Sequence, residues 1–347
     1  MIRIADRLVG EGKPCFIIAE AGVNHNGDIK LARKLIDVAV RASADAIKFQ
    51  TFKAEELVTE AAEKAAYQKE TTGSKESQFE MLKKLELSEK DFRQLFNYAQ
   101  KKGIIPLSTP FDKWSVDFLD ELGVPAFKIG SGEITNLPLL QHIAGKRKPV
   151  ILSTGMSTLE DVTEAITVLQ EKGTGEIALL HCVSCYPSRA EDTNLRAMET
   201  LRSAFNLPVG LSDHSVGIHI PIAAVALGAC IIEKHFTLDK NLPGPDHSAS
   251  LEPDELKEMV EAIRDVEHAL GDGIKRPTLS EEETRKAARR SLVARTNIPA
   301  GTLITGEMLD IKRPGTGLEP KQINLVIGKK AKKRIARGEV ITQAKLA

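Results

Sequence analysis

Eight short apolar runs recur between Phe16 and Thr237. They are Phe16–Gly22, Ala46–Thr51, Ile104–Pro110, Ala126–Gly132, Val150–Gly155, Ile177–Cys182, Val209–His214 and Ile231–Thr237. Each is near-continuous rather than alternating, the pattern of strands buried on both faces of a parallel sheet. The stretches between them carry apolar residues at helical spacing. Asp28–Arg41 puts Leu31, Leu35, Ile36, Val38 and Ala39 on one face. Leu159–Gln170 and Asp254–Leu270 read the same way, the latter opened by Glu252-Pro253 and stopped by Gly271. Eight near-equal strand–helix units predict a (β/α)8 TIM barrel over residues 1–271, in preference to an open doubly wound sheet. The segment Lys53–Leu87 is long, polar and rich in Ala, Glu and Lys. It reads as an insertion after the second strand with some helix, a lid or an interface.

The pattern changes after Gly271. Residues 272–284 contain Gly, Asp and Pro and read as a linker. Residues 285–347 hold only short apolar segments, Ser291–Ala294, Leu303–Ile304, Leu325–Ile327 and Val340–Ile341, punctuated by Gly and Pro. This predicts a small, turn-rich second domain. So few apolar side chains make a poor core, and the domain is expected to pack against something larger.

Composition narrows the class. The chain has 347 residues, 42% hydrophobic and 28% charged, which excludes a wholly disordered protein. Its 48 basic and 48 acidic residues cancel, so a whole-surface grip on nucleic acid is not expected. The balance hides a step. From Arg285 onward there are 15 Lys and Arg against 4 Asp and Glu, leaving 33 against 44 in the remainder. That is either a solvated basic face or a basic module that holds an anionic ligand or an acidic partner. No apolar run approaches the roughly 20 residues of a membrane span. Met1–Arg7 lacks the apolar core of a signal peptide. Four cysteines are too sparse for a disulfide scaffold, so a cytoplasmic protein without membrane or nucleic-acid partners is expected.

The chemistry lies at the C-terminal ends of the runs, where barrel enzymes assemble their sites. Those ends carry Glu20; Lys48 and Gln50; Ser108 and Thr109; Lys128, Ser131 and Glu133; Ser153 and Thr154; His181, Ser184 and Tyr186; Ser212, Asp213 and His214; and Glu233, Lys234 and His235. Burying so many without partners would cost about 1–3 kcal/mol each, which predicts a large polar cavity. Lys48 and Lys128 interrupt otherwise apolar strands. Three readings fit them: a buried ion pair with Glu20 or Glu133, a cradle for phosphate or carboxylate, and a Schiff-base lysine. His214 and His235 end neighbouring strands and could share a divalent metal or simply hydrogen-bond in the pocket. With N and O donors nearby, Mn2+ or Mg2+ suits them better than structural Zn2+. Cys182-Val183-Ser184-Cys185 has redox spacing but lies outside a thioredoxin-like context. Asp246-His247 falls in the loop after the eighth run, within reach of a substrate hydroxyl. His142, His219 and His268 fall in helical patterns, as surface or packing residues.

Taken in order, the motifs resemble the sialic acid synthases, the phosphoenolpyruvate-dependent synthases of nonulosonates. The resemblance rests on Ile18–Gly27, Lys48–Phe52, Ser108–Phe111, Phe127–Glu133, Leu152–Met156, Gly210–His214, Glu233–Phe236, Pro243–His247 and Lys312–Gly315. It implies a TIM barrel followed by a C-terminal SAF (antifreeze-like) domain. It also implies a domain-swapped homodimer, with the small domain of one subunit capping the other's barrel. Phosphoenolpyruvate would be held by Lys48, Thr109, Lys128, Ser131, Ser153, Ser184 and Ser212. An N-acylated amino sugar would meet Gln50, Glu133, Tyr186, Asp246 and Arg313. His214 and His235 would hold the divalent metal, Mn2+ first, with Mg2+ or Co2+ as alternatives. Glu20 and Glu133 would serve the chemistry beside the two lysines. The implied reaction joins C3 of phosphoenolpyruvate to the aldehyde of N-acetylmannosamine, adds water at C2 and releases phosphate by C–O cleavage, giving N-acetylneuraminate. The alternative product is N,N'-diacetyllegionaminate, from 2,4-diacetamido-2,4,6-trideoxymannose. Ser184 stands where some members carry Asn, which leaves the acyl-amino sugar open. Outside the family, the rivals are a Schiff-base aldolase, a metal hydrolase (disfavoured because the first strand ends Asn24-His25-Asn26 rather than His-x-His) and a non-catalytic binding module built on the C-terminal domain.

Overall fold

A computed structural model describes all 347 residues and separates them into two compact units, Met1–Gly271 and Asp272–Ala347. In the first, eight strands form one parallel sheet: β1 (Phe16–Gly22), β2 (Ala46–Thr51), β3 (Ile105–Pro110), β4 (Phe127–Ile129), β5 (Val150–Ser153), β6 (Ile177–Cys182), β7 (Val209–Asp213) and β8 (Ile231–His235). The hydrogen-bonded order is β3-β2-β1-β8-β7-β6-β5-β4. β1 thus pairs with β8, and β3 and β4 adjoin to complete the ring. Helices follow the strands, so the unit is the expected (β/α)8 architecture.

Two apolar layers show how the sequence builds it. Phe16, Ile18, Ala46, Leu107, Ala126, Ile151, Ala178, Leu180 and Ile231 fill the barrel interior. The residues between them, such as Ile17, Ile47, Phe49, Phe127, Leu152, Leu179, Leu211 and Ile232, pack against the helices. Period-2 alternation is therefore present, although both faces are apolar. Helix Ile29–Arg41 begins where expected because the Asp28 side chain accepts from Lys30 N at 2.7 Å. An unanticipated antiparallel hairpin, Ile2–Ile4 with Arg7–Val9, inserts Ile2, Ile4 and Val9 into the lower end of the interior.

The insertion forms three helices, Ala54–Leu57, Ala66–Thr72 and Gln78–Leu85. Its staple is Lys64, whose buried ammonium donates to Thr72 Oγ1 (2.8 Å) and Gly73 O (3.1 Å) and pairs with Glu76 (2.9 Å). Met81 and Leu85 pack with Val23 and Phe52 at the barrel mouth.

The second unit departs from expectation in two ways. Leu292, Ala294, Ile298, Ile304, Leu309, Val326, Ile335 and Ile341 give it a core of its own. Residues 272–284 are not plain linker, since they include a 3-10 turn, Leu279–Glu281, and the start of helix Glu282–Ala288. Strands Ser291–Ala294 and Leu309–Lys312 pair antiparallel. No helix of the chain is long and apolar enough to cross a membrane.

Candidate active site

Strand parity sorts the polar run ends. Glu20, Lys48, Gln50, Thr109, Lys128, Ser153, Cys182, Ser212, His214, Glu233 and His235 line a cavity of about 520 Å3 at the C-terminal mouth of the barrel. Ser131, Glu133, Ser184 and Tyr186, from the loops, line it too. Ser108, Thr154, His181, Asp213 and Lys234 do not. They satisfy one another or the backbone: Ser108 with Thr51 (2.7 Å), Thr154 with Leu180 O (3.1 Å), His181 with Thr193 O (2.6 Å), Lys234 with Asp213 (2.5 Å). The expectation that every polar run end faces the cavity is corrected accordingly.

At the base, the two lysines are buried and linked by carboxylates. Lys48 Nζ donates to Glu20 Oε1 (2.8 Å) and Thr109 Oγ1 (2.7 Å). Glu233 lies between the lysines, 3.7 Å from Lys48 and 3.5 Å from Lys128, and accepts from Ser212 Oγ at 2.9 Å. Lys128 also donates to Ser153 Oγ at 2.8 Å. The ion-pair reading thus holds for Lys48 with Glu20 but not with Glu133, which accepts from Asn136 instead. Glu233 was not singled out from the sequence, because nothing in the run Ile231–His235 separates it from Lys234.

The electrostatics are uneven. Burial opposes the charge of Glu233, but Lys128 and Lys48 outweigh it and hold the carboxyl well below its usual range. Burial dominates at Glu20 and raises its pKa, against the pull of Lys48. At Lys48 burial is outweighed by Glu20 and Glu233, and the pKa rises; at Lys128 burial prevails and it falls. One firmly ionised carboxylate therefore faces two ammonium groups. Glu20 Oε2 and Glu233 Oε2 are buried without hydrogen-bond partners. An incoming anion would favour the charged form of Lys128, whose pKa burial has lowered.

Beside Lys128 lies a corner of small residues. Gly155 N donates to Ser131 Oγ at 3.0 Å. A Cβ on Gly155 would collide with Ser184 Oγ and sit 2.7 Å from Ser131 Oγ. Only glycine leaves this hydroxyl corner open.

Higher in the cavity the rings of His214 and His235 stand 5.5 Å apart. His214 Nδ1 donates to Val183 O at 2.8 Å, which leaves Nε2 as its free nitrogen. His235 Nδ1 is buried without a partner, 4.0 Å from Asp246 Oδ2. Burial, His214 and Lys48 keep the His235 ring neutral. Two neutral-capable imidazoles with a lone pair free on each fit a metal with two protein nitrogens and an otherwise open shell. No group of three or more His, Cys, Asp or Glu side chains forms a closed cage.

The mouth is walled by Tyr186, which stacks on Tyr67 of the insertion (centroids 5.2 Å apart, planes at 27°) and lies 4.0 Å from the His214 ring. Leu57, Val58, Ala65 and Leu82 of the insertion, with Phe111 and Met156, give this wall an apolar character. Thr71 Oγ1 donates to Pro245 O (3.3 Å), tying the insertion to the Asp246 loop. Tyr67 was missed from the sequence because it lies in a polar stretch without strand periodicity. Asp246 is buried beside His235. Cys182 faces the cavity and Cys185 is exposed; both are free thiols. Arg313 is an exposed residue of the second unit, immediately after strand Leu309–Lys312.

Comparison with known proteins agrees with the fold of the two units. Residues 35–275 match the NeuB family and residues 289–347 match the SAF domain. The N,N'-diacetyllegionaminic acid synthase of Legionella pneumophila is 50% identical over 96% of this chain and 94% of its own. The enzyme of the same name from Campylobacter jejuni is 51% identical over 95% of this chain and 100% of its own. Among solved structures, the N-acetylneuraminic acid (sialic acid) synthetase of Leptospira borgpetersenii superposes with a TM-score of 0.71 at 40% identity, covering 82% of this chain and 94% of that one. The chain belongs to the NeuB family, the nonulosonic acid synthases, and ends in a SAF domain.

Proposed function

We propose that the enzyme condenses phosphoenolpyruvate with 2,4-diacetamido-2,4,6-trideoxymannose to give N,N'-diacetyllegionaminate and phosphate. The observation that carries the phosphoenolpyruvate assignment is the pair of buried lysines sharing one ionised carboxylate, Glu233, beneath a rim of hydroxyls. That site offers two buried ammonium groups with hydroxyl neighbours and room for a small polyanion. Lys48 with Thr109, and Lys128 with Ser153, Ser131, Ser184 and Ser212, would hold the carboxylate and phosphate.

Two arguments reverse the order of sugars expected from the sequence. Relatives of about half identity carry the legionaminate name. The apolar wall from the insertion suits a C6 methyl and a second acetamido methyl better than hydroxyls. N-acetylmannosamine remains the second reading, favoured by the Leptospira likeness.

In the reaction, C3 of phosphoenolpyruvate forms a bond to the sugar aldehyde carbon, whose oxygen takes up a proton. Water adds at C2, and the C2–O bond to phosphate breaks. Glu20 and Glu133, both raised by burial, are the groups able to exchange protons with that water. Lys48 and Lys128 hold the anionic groups throughout. Gln50, Tyr186 and Asp246 would orient the sugar. His214 and His235 would hold the divalent metal, which when bound supplies Lewis-acid polarisation of the aldehyde. We further propose a domain-swapped homodimer in which Arg313 acts on the partner subunit's sugar.

Phosphate release from phosphoenolpyruvate with Mn2+, comparing the two sugars with and without EDTA, tests these assignments. EDTA-sensitive release with the diacetamido sugar is expected. Release with N-acetylmannosamine alone would move the product to N-acetylneuraminate, and release with neither would remove both assignments.

A further inference from the structure

We infer that Lys234 is a positioning residue, gripping the chain on both sides of His214 from outside the barrel. Parity puts Glu233 and His235 inside and Lys234 outside, among Leu211, Ile232 and Phe236 of the apolar layer under the helices. There its side chain is 0% exposed. The ammonium donates to Asp213 Oδ2 at 2.5 Å and to Ser215 O. Asp213 in turn accepts from Ser215 N (3.0 Å) and Ser215 Oγ (2.9 Å). The residues before and after His214 are thus tied to one another and to the residue before His235.

The ladder shows why this matters. Pairing between β7 and β8 runs Ile232↔Leu211, Glu233↔Ser212, Lys234↔Asp213 and stops. His235 keeps a backbone partner, Glu20 of β1. His214 lies one residue past the last rung, outside any strand. Beyond the Lys234 grip, its backbone is tied by a hydrogen bond from Ser188 N to His214 O (2.9 Å). A buried ion pair is a weak source of stability compared with apolar packing. The surrounding layer is apolar, so packing alone would be met by a leucine and a methionine. A charged grip at the last rung instead fixes direction and distance, and what it fixes is the separation of the two imidazoles. The role in turnover rests on the function proposed above; the geometric role does not.

The test compares wild type, Lys234→Arg, Lys234→Met and the double variant Asp213→Leu/Lys234→Met in the full chain. The double variant removes both charges together, so no unpaired charge stays buried. It leaves the buried Ser215 N, O and Oγ without their partners, so its denaturation midpoint should fall below that of wild type while the chain still folds. We expect it and Lys234→Met to lose about 10–100-fold in Mn2+ affinity and in kcat, the range for groups that orient metal-holding histidines, with the KM for phosphoenolpyruvate within about threefold. Lys234→Arg should restore most of both. Imidazole 15N shifts of His214 should change in the double variant and return in Lys234→Arg, with no substrate present. If wild type binds no Mn2+ or turns over neither sugar, the proposed function fails, and the His214 shifts decide the grip alone. Unchanged His214 shifts in a folded double variant, or Mn2+ affinity and kcat within threefold of wild type, overturn the inference. Should Lys234→Met fail to fold, the double variant carries the comparison.

Discussion

Tyr67 lies against Tyr186 with ring centroids 5.2 Å apart, so a residue of the insertion supports a residue of the barrel mouth. Aromatic pairs of this kind contribute about 0.5–1.5 kcal/mol beyond burial. Tyr67→Ala should therefore raise the KM for the sugar by up to about tenfold, with the KM for phosphoenolpyruvate unchanged. Tyr67→Phe should behave as wild type. Steady-state kinetics with each substrate varied in turn separates the two effects, and an equal rise in both KM values would argue for general loosening of the mouth.

Lys128 holds Glu233 from one side and Ser153 from the other. Lys128→Ala leaves Glu233 buried with Lys48 as its nearest cation. Breaking such a pair typically costs about 3–5 kcal/mol. Urea unfolding should show a loss in that range, and turnover should fall to background. Unaltered phosphoenolpyruvate affinity in this variant would remove Lys128 from the anion site.

His235→Ala should lose Mn2+ binding and turnover together. Calorimetric titration of Mn2+ checks the first without reference to the second. Metal-dependent turnover that survives the substitution takes His235 out of the ligand set.

His25 supplies a pH dependence away from the chemistry. It is buried, its Nδ1 accepts from Gly27 N (3.1 Å), and its Nε2 has no partner. Burial, helped by His247, lowers its pKa to about 4. An unfolded His titrates near 6.5, so between these values the unfolded chain binds the extra proton. The contribution is complete above pH 6.5 and is lost as pH falls toward 4, reaching about 2 kcal/mol lost at pH 5. Urea midpoints of wild type and His25→Gln from pH 7.5 to 5 should diverge at neutral pH and converge on acidification. Parallel curves would show that His25 does not carry the effect.

Arg313→Ala should fold and turn over poorly. Mixed with Lys128→Ala under verified subunit exchange, it should regain part of the activity, because one of the two sites in a mixed dimer would carry both native residues. Absence of recovery counts against sharing of sites between subunits.

Much of this was legible in the sequence because burial on both faces leaves a strand its own signature. The eight runs and the helices beginning near Asp28 and Leu159 follow directly from apolar spacing. Inside and outside could not be told apart from the runs alone, since Ile231, Ile232, Glu233 and Lys234 offer an apolar and a charged residue to each face. That ambiguity left Glu233 without a role of its own and counted Lys234 and Asp213 with it as cavity residues. Tyr67 was invisible for a different reason: its neighbours Lys64 and Glu76 meet through a fold of the chain that has no period to read. The hairpin at Ile2–Val9 is too short to announce itself.

That hairpin has a practical consequence. Ile2, Ile4 and Val9 close the barrel floor, so the chain's first residue emerges at the pole opposite the cavity. A surface tether joined ahead of Met1 would thus attach to the barrel floor, at the end of this unit away from the cavity residues. Cutting after Val9 would instead uncork the floor, baring Phe16, Ala126 and Ile231 to water from below.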